Sequence, residues 1–275
     1  MKNVLITGAN SYIGESVKDY LIQYPNDYSV DVIDTFGFEP IPEFFTKYDV
    51  VFNVAGIAHI KETKDNRHLY YDVNRDLAVK IAKAAREGGV KQFILLSTMS
   101  VYGLTTGYIQ KDTPINPVNA YGKSKAEADE AIAKLSDDSF RFACLRPPMV
   151  YGKGCKGNYQ SLRKFALKSP FFPNYNNQRS MIYIGNLCEF VKECIDFEKG
   201  GFFFPQNDEY ISTSQMVAEI AKCHGKTLRL TKILNWALKI CRVNTIKKVF
   251  GDLEYEKIDT VGKYSFRESI RLTEG

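Results

Sequence analysis

Tyr121 and Lys125 stand four residues apart in Tyr121-Gly122-Lys123-Ser124-Lys125. On a helix, side chains at that spacing share a face. An ammonium beside a phenol favours the phenolate and lowers its pKa from about 10. Such a tyrosine can exchange a proton with an alcohol or ketone near neutral pH. Both residue types are common, so the pair gains meaning from its setting. It follows a run, Phe93–Leu96, that reads as a strand and ends in Ser97-Thr98. Thr98 closes that strand and can hydrogen-bond the same substrate oxygen.

A second constellation opens the chain. Val4–Thr7 is a short apolar run, and Gly8-Ala9-Asn10-Ser11-Tyr12-Ile13-Gly14 leads from it into an amphipathic helix from about Ile13 to Tyr24. A glycine-spaced turn between strand and helix is the setting of a dinucleotide site. Gly8 permits the tight turn, Gly14 lets helix and strand approach, and the free N–H groups at the helix start face a pyrophosphate. Ser11 replaces the middle glycine of the pattern, which normally permits close backbone approach. Serine is small, so the site is expected to persist with less tolerance. Asp34 ends the second strand, 20 residues after Gly14. A carboxylate there accepts bonds from an adenosine ribose and repels a 2′-phosphate. No Arg follows within the next dozen residues, so NAD is expected in preference to NADP. The plain alternative for Asp34 is a turn or capping role.

Positioning these groups requires alternating strands and helices, and the first half of the chain has them. Val30–Ile33, Val50–Val54, Phe93–Leu96 and Phe140–Leu145 read as further strands. Leu77–Glu87 and Ser124–Leu135 read as helices, the first with Ala78, Ile81, Ala82 and Ala85 on one face and Gly88-Gly89 as its stop. Asn74 is expected at a helix start, bracing the active-site strands. The alternation predicts an α/β fold of Rossmann type, a doubly wound parallel sheet covered on both faces. Between Asp34 and Asp49 there is room for at most one helical turn, and Pro40 and Pro42 break the segment further. After Pro147-Pro148 the pattern changes, with Gly and Asn frequent from Gly152 to Asn177. Residues 1–150 are therefore expected to form the dinucleotide-binding domain. Residues 151–275 are expected to form a small mixed substrate lobe, with some segments returning to the main sheet.

Composition bounds the partners. Of 275 residues, 44% are hydrophobic and 25% charged, with 17 Tyr and 18 Phe, which places the chain among ordered globular proteins. The net charge of +5 is mild. Nucleic-acid binders concentrate charge more strongly, so no nucleic acid is expected, whereas an anionic small ligand is compatible. Six cysteines form no Cys-x-x-Cys pair, and only three His are present, so no metal site is expected. The thiols read as reduced and mostly core-filling. The start leads straight into a strand without a signal peptide, and no run of about 18 apolar residues exists, which predicts a cytoplasmic protein. Residues 226–250 carry seven Lys or Arg and no acid, with apolar residues at helical spacing. A basic amphipathic helix can lie on an anionic membrane. The preferred reading is a helix packed on the substrate lobe with a solvated basic face. His59, after the third strand, reads as a structural loop histidine, and Lys156-Gly157-Asn158-Tyr159 as a polar loop at the substrate.

Together these segments resemble a family. Thr7–Gly14, Ser97–Gly103, Tyr121–Lys125, Leu145–Gly152 and Gln178–Leu187, spread over two thirds of the chain, are similar to the extended short-chain dehydrogenases/reductases, specifically the NAD-dependent epimerase/dehydratase group. Ser97-Thr98-Met99-Ser100-Val101-Tyr102-Gly103 matches that group's Ser-Ser/Thr-x-x-Val-Tyr-Gly segment and assigns the catalytic hydroxyl to Thr98, not Ser97 or Ser100. Leu145–Gly152 matches Arg-Pro-x-Asn-Val-Tyr-Gly, with Met149 in place of Asn. Arg179 matches the arginine that contacts the sugar-nucleotide diphosphate; without the resemblance it would read as a surface ion pair. The resemblance implies that Lys125 bonds the nicotinamide ribose and tunes Tyr121, and that Tyr121 removes the proton of a sugar 4-hydroxyl while NAD takes the hydride. Hydride returned to the other face gives epimerisation. A 4-keto-sugar reductase, running only the second half, is the runner-up, followed by a non-catalytic NAD-binding sensor. A steroid or phenolic substrate is disfavoured, since it has no use for Arg179. The dehydratase branch places Asp-Glu directly after the catalytic Thr, and here that pair is Met99-Ser100. The implied ligand is a UDP-linked sugar, and the implied assembly a homodimer.

Overall fold

The computed structural model describes residues 1–58, 60–233, 235 and 244–275. His59 and residues 234 and 236–243 of the basic segment lie outside that set. The chain divides into two compact units. One comprises Met1–Gly103, Ile115–Pro147 and Cys188–Phe204; the other comprises Leu104–Pro114, Pro148–Leu187 and Pro205–Gly275.

The first unit is built on six strands: β1 (Lys2–Thr7), β2 (Tyr28–Ile33), β3 (Val50–Asn53), β4 (Gln92–Leu96), β5 (Arg141–Leu145) and β6 (Gly201–Phe203). They lie in the order β6-β5-β4-β3-β1-β2, every pair parallel. Val4, Leu5 and Ile6 are buried in succession, as in a strand covered on both faces. The strand order reverses at β1, which sits between β2 and β3, and in such sheets ligands bind beyond the carboxyl ends at that reversal. The expected doubly wound α/β sheet is what the chain forms.

The helices of this unit are α1 (Tyr12–Leu21), the single turn α2 (Pro42–Phe45), α3 (Arg67–Tyr71), α4 (Ala78–Glu87), α5 (Ala120–Ala133) and α6 (Ile184–Asp196), the last beginning in the other unit. Leu5, Val51 and Phe93 of the sheet share a buried core with Ile81 and Ala85 of α4 and with Ala128 and Ile132 of α5. The short connection before β3 is filled by aromatic rings instead of a full helix, with Phe38 and Phe44 centroids 5.1 Å apart. Between α3 and α4, Asp72–Leu77 winds as a π-helix. The helical run thus begins well before Leu77. The polar residues Asp72, Asn74, Arg75 and Asp76 hide it by interrupting the apolar period, and Asn74 sits inside the π turn instead of at a helix start. Helix α5 likewise begins earlier than Ser124, because the Asn119 side chain caps it by accepting from Gly122 N at 2.8 Å.

The second unit holds four two-stranded parallel pairs. Gly107–Ile109 pairs with Leu253–Tyr255, Met149–Tyr151 with Met181–Tyr183, Phe171–Pro173 with Arg229–Thr231, and Gln206–Asn207 with Thr260–Val261. Helices Asn158–Lys168, Thr213–Cys223, Asn244–Phe250 and Phe266–Glu274 accompany them. Tyr159 is not in a polar loop: it lies in the first of these helices, stacked on Tyr151 at 5.7 Å, with its hydroxyl donating to Glu274 at 2.6 Å. Cys144, Cys155, Cys188 and Cys194 are buried and Cys223 is exposed, with no disulfide among the described residues; Cys241 is outside them.

Candidate active site

The turn between β1 and α1 is shaped by three residues. Gly8 has φ +91°, and a Cβ there would lie 2.9 Å from the Ala55 backbone. Gly14 packs so closely that a Cβ would meet Val54 Cγ2 at 2.9 Å and Ile6 Cγ2 at 3.3 Å. Asn10 adopts φ +63°, a left-handed value that asparagine tolerates better than most residues. Ser11 is the N-cap of α1, extended at φ −75° and ψ 137°, and its Oγ accepts from Gly14 N at 3.2 Å. That backbone suits any L-residue, so serine replaces glycine here without strain. Tyr12 and Ile13 form the first turn of α1. Beside this turn, Thr7 donates to Asn53 Oδ1 at 2.5 Å, leaving the buried Asn53 Nδ2 without a partner among the described residues. A close-packed glycine turn that leads into a capped helix start fits a dinucleotide pyrophosphate. Asp34 is exposed just past β2, and one of its oxygens accepts from Phe36 N at 3.0 Å. It therefore makes the turn that its plain reading anticipates, while its second oxygen faces no partner among the described residues.

The carboxyl end of β4 leads through Ser97 and Thr98 into a short 3-10 turn, Met99–Tyr102. Thr98 Oγ1 caps that turn, accepting from Ser100 N at 3.1 Å, and lies 3.2 Å from Ser100 Oγ. Helix α5 presses directly on it, since a Cβ on Gly122 would stand 2.7 Å from the Ser100 carbonyl oxygen. That approach sets Tyr121, in the first turn of α5, beside Thr98. The Tyr121 ring meets Tyr70 edge-on at 6.5 Å. Glu62 holds the helix start by accepting from Ala120 N at 2.9 Å.

Lys125 follows one turn later, buried, with Nζ donating to the Leu96 carbonyl at 3.0 Å. A Cβ on Gly56 would lie 3.1 Å from that Nζ and 2.9 Å from Asn74 Oδ1, so any side chain there would press on both. Asn74 accepts from Ile57 N at 2.7 Å and donates to Ile57 O and to Ser124 Oγ, tying the loop after β3 to α5.

The electrostatics correct one expectation. Burial pushes the Tyr121 phenol above its ordinary pKa, and the Thr98 hydroxyl opposes that rise. Burial also depresses the Lys125 ammonium to about 8, with Asp129 opposing. The net shift of the tyrosine is thus upward here; Tyr121 is partly buried, Lys125 is buried, and its amine donates to the Leu96 carbonyl.

Asp129 was not singled out by sequence, although it follows Lys125 by four residues on the same helix. Its Oδ2 accepts from Ser97 Oγ at 2.9 Å and from Arg146 Nε at 3.0 Å. Ser97 is therefore committed to this buried pair, and Thr98 is the hydroxyl left at Tyr121. Arg146 also donates to the Tyr102 hydroxyl and lies 4.4 Å from the Phe202 ring centroid.

Arg179 belongs to the second unit. It donates from Nη1 to the Gly251 carbonyl at 2.7 Å, and burial lowers its pKa, partly offset by Asp252. It makes no ion pair among the described residues, so the surface-pair alternative is not what the chain adopts.

Residues 4–199 match the NAD dependent epimerase/dehydratase family. The chain is 28% identical over an alignment of 306 positions to the UDP-glucose 4-epimerase of Vibrio cholerae, covering 100% of this chain and 93% of that one. It is 27% identical over 250 residues to an Escherichia coli relative, N-acetyl-alpha-D-glucosaminyl-diphospho-ditrans,octacis-undecaprenol 4-epimerase, covering 82% and 73%. Among solved structures it is similar to the UDP-glucuronic acid 4-epimerase of Bacillus cereus in complex with NAD, with TM-score 0.76 and 19% identity over 99% of this chain and 97% of that one.

Proposed function

The chain belongs to the NAD-dependent epimerase/dehydratase family, and on that premise we propose that it is a 4-epimerase of a UDP-linked sugar. It is an enzyme of that family and takes NAD as cofactor. What supports the finer reading is the Tyr121 phenol set beside the Thr98 hydroxyl, with Lys125 one turn away and no acid in the two positions after Thr98. A thioether and a serine hydroxyl at Met99 and Ser100 are poor groups for eliminating water.

NAD, when bound, supplies a hydride acceptor and a positively charged nicotinamide. Gly8, Asn10, Ser11, Tyr12, Ile13 and Gly14 would hold its pyrophosphate, Asp34 its adenosine ribose, and Tyr121 with Lys125 its nicotinamide ribose. Tyr121 takes the proton of the sugar 4-hydroxyl and later returns one, while Thr98 hydrogen-bonds the same oxygen. Burial holds Tyr121 as the neutral phenol, the proton-donating form. Positive charge brought beside it favours the phenolate needed for the oxidative half. Arg179 would pair with the diphosphate through its planar fork.

The test is a screen of UDP-, dTDP- and GDP-sugars, with products read by NMR and NADH followed by absorbance. Inverted 4-hydroxyl with no net cofactor consumption supports the epimerase. Stoichiometric NADH loss on a 4-keto sugar replaces it with a reductase. The Escherichia coli relative is named for a sugar on an undecaprenol diphosphate, and the diphosphate is common to both substrate classes. A polyprenyl-diphosphate sugar therefore belongs in the same screen.

A further inference from the structure

Among the described residues of the first unit, the buried charged residues are Lys125, Asp129 and Arg146. They stand together, two cations around one anion, at the carboxyl end of β4. Lys125 Nζ donates to the Leu96 carbonyl at 3.0 Å. Asp129 Oδ2 accepts from Ser97 Oγ at 2.9 Å. The next residue, Thr98, hydrogen-bonds the Tyr121 phenol. Tyr121, Lys125 and Asp129 follow one another at intervals of four, so a single stripe of α5 holds three consecutive residues of the strand end.

The ion pair with Arg146 leaves part of the carboxylate's charge unmatched. Arg146 meets it at Oδ2 through Nε and gives Nη1 to the Tyr102 hydroxyl. Oδ1 is buried without an N–H or O–H donor among the described residues, and the weakly donating Cys144 thiol lies beside the carboxyl group. Removed from water, such a charge acts strongly on its neighbours. Cys144 of β5 and Tyr102 of the 3-10 turn also face it, and burial pushes both up, so they stay neutral. Asp129 opposes the fall that burial imposes on Lys125 and adds to the rise of Tyr121. Both signs are those of an anion, which favours an ammonium and disfavours a phenolate.

We propose that Asp129 is a positioning residue of the active site: through Ser97 it fixes Thr98 against Tyr121, and its carboxylate is the counter-charge of Lys125. Neither role requires it to touch substrate or cofactor. Its bearing on turnover rests on the 4-epimerase reading, and its bearing on Lys125 does not.

The first test needs no substrate. In the full chain labelled with 13C,15N-lysine, the Nζ shift of Lys125, identified by its loss in Lys125→Met, is followed against pH by NMR. Asp129→Asn should lower its midpoint by about one unit. Asp129→Glu keeps the carboxylate and should restore the midpoint to within about half a unit. If Asp129→Asn does not fold, Asp129→Asn with Arg146→Met leaves no buried charge without its partner, and its midpoint should also fall. A Lys125 midpoint that stays put when the carboxylate is removed overturns the proposal. The second test is turnover of a UDP-sugar. Asp129→Asn should move both limbs of the pH profile of kcat to lower pH by about one unit, since losing an anion lowers the ammonium and the phenol alike. Ser97→Ala should lower kcat about tenfold or more and leave the Lys125 midpoint unchanged. Unmoved limbs in Asp129→Asn, or a wild-type rate in Ser97→Ala, overturn the role in turnover. If the unsubstituted chain turns over no UDP-sugar, the 4-epimerase reading fails, and the Lys125 titration still decides the role of Asp129.

Discussion

Arg146 donates from Nε to the Asp129 carboxylate at 3.0 Å, and the two side chains are only 10% and 1% exposed. The carboxylate also receives the Ser97 hydroxyl and faces the site through Lys125, one helical turn back. A pair this deep is costly to break, because the survivor keeps its charge without a partner. Arg146→Met is expected to lower the unfolding free energy by about 3–5 kcal/mol in urea titrations. The double variant Arg146→Met with Asp129→Leu should recover much of that loss. A single substitution costing less than about 1 kcal/mol would show the pair to be a spectator.

Tyr121→Phe removes the proton-transfer hydroxyl with little change in volume. Turnover should fall by roughly a hundredfold or more. Calorimetry should show NAD binding largely intact. Near-wild-type rates would remove Tyr121 from the chemistry.

Lys125 gives a pH signature. Its amine is depressed from 10.5 to about 8 by burial. Below about pH 8 it is protonated in the folded and unfolded chain alike, and the folded state bears the whole desolvation cost. Between about 8 and 10.5 the folded chain has released the proton while the unfolded chain keeps it, so stability rises with pH through that window. Lys125→Met should therefore be more stable than the wild type at neutral pH, by on the order of 3 kcal/mol before any lost hydrogen bond is counted. That advantage should shrink as the pH approaches about 10. Urea titrations of both chains across that range provide the comparison, and a pH-independent difference would refute it.

Asp34 predicts cofactor choice. NAD should bind more tightly than NADP in calorimetric titration, and Asp34→Asn should narrow the gap by removing the repulsion of a 2′-phosphate. Tighter NADP binding by the unsubstituted chain would confine Asp34 to its turn with Phe36.

Arg179→Ala should weaken binding of UDP and of the nucleotide sugar. The loss of a charge-assisted bond is worth roughly 1.5–3 kcal/mol, or at least about tenfold. NAD affinity should hardly move. If the variant binds nucleotide diphosphates as before, or loses NAD instead, the diphosphate assignment fails.

The sheet was legible because its strands are continuous apolar runs, and a strand buried on both faces must be so. The glycine turn was legible because Gly8 and Gly14 answer to steric needs that no other residue meets. The substrate unit was obscure since its strands are two or three residues long and find their partners far along the chain, such as Gly107–Ile109 on Leu253–Tyr255. Asp129 escaped notice for a different reason. On sequence, an acid on a helix rich in Lys and Glu looks solvated, and only the fold brings Arg146 and Ser97 to it. The direction of the Tyr121 shift was also beyond spacing, which shows that Lys125 is near but not how far the fold shields the phenol.

The π turn at Asp72–Leu77 has a consequence for how chains of this kind can diverge. A π turn carries one residue more than an α-helical turn would need, so losing that residue would convert it to α-helix and leave α4 facing as it does. A residue lost within Ala78–Glu87 would instead rotate everything beyond it by about 100° and turn its alanines out of the core. The helical run is thus fixed in length along α4 but has one residue to spare in the π turn. Single-residue deletions that survive among descendants are expected at Asp72–Leu77 or in the loops outside Arg67–Glu87, and not within α4.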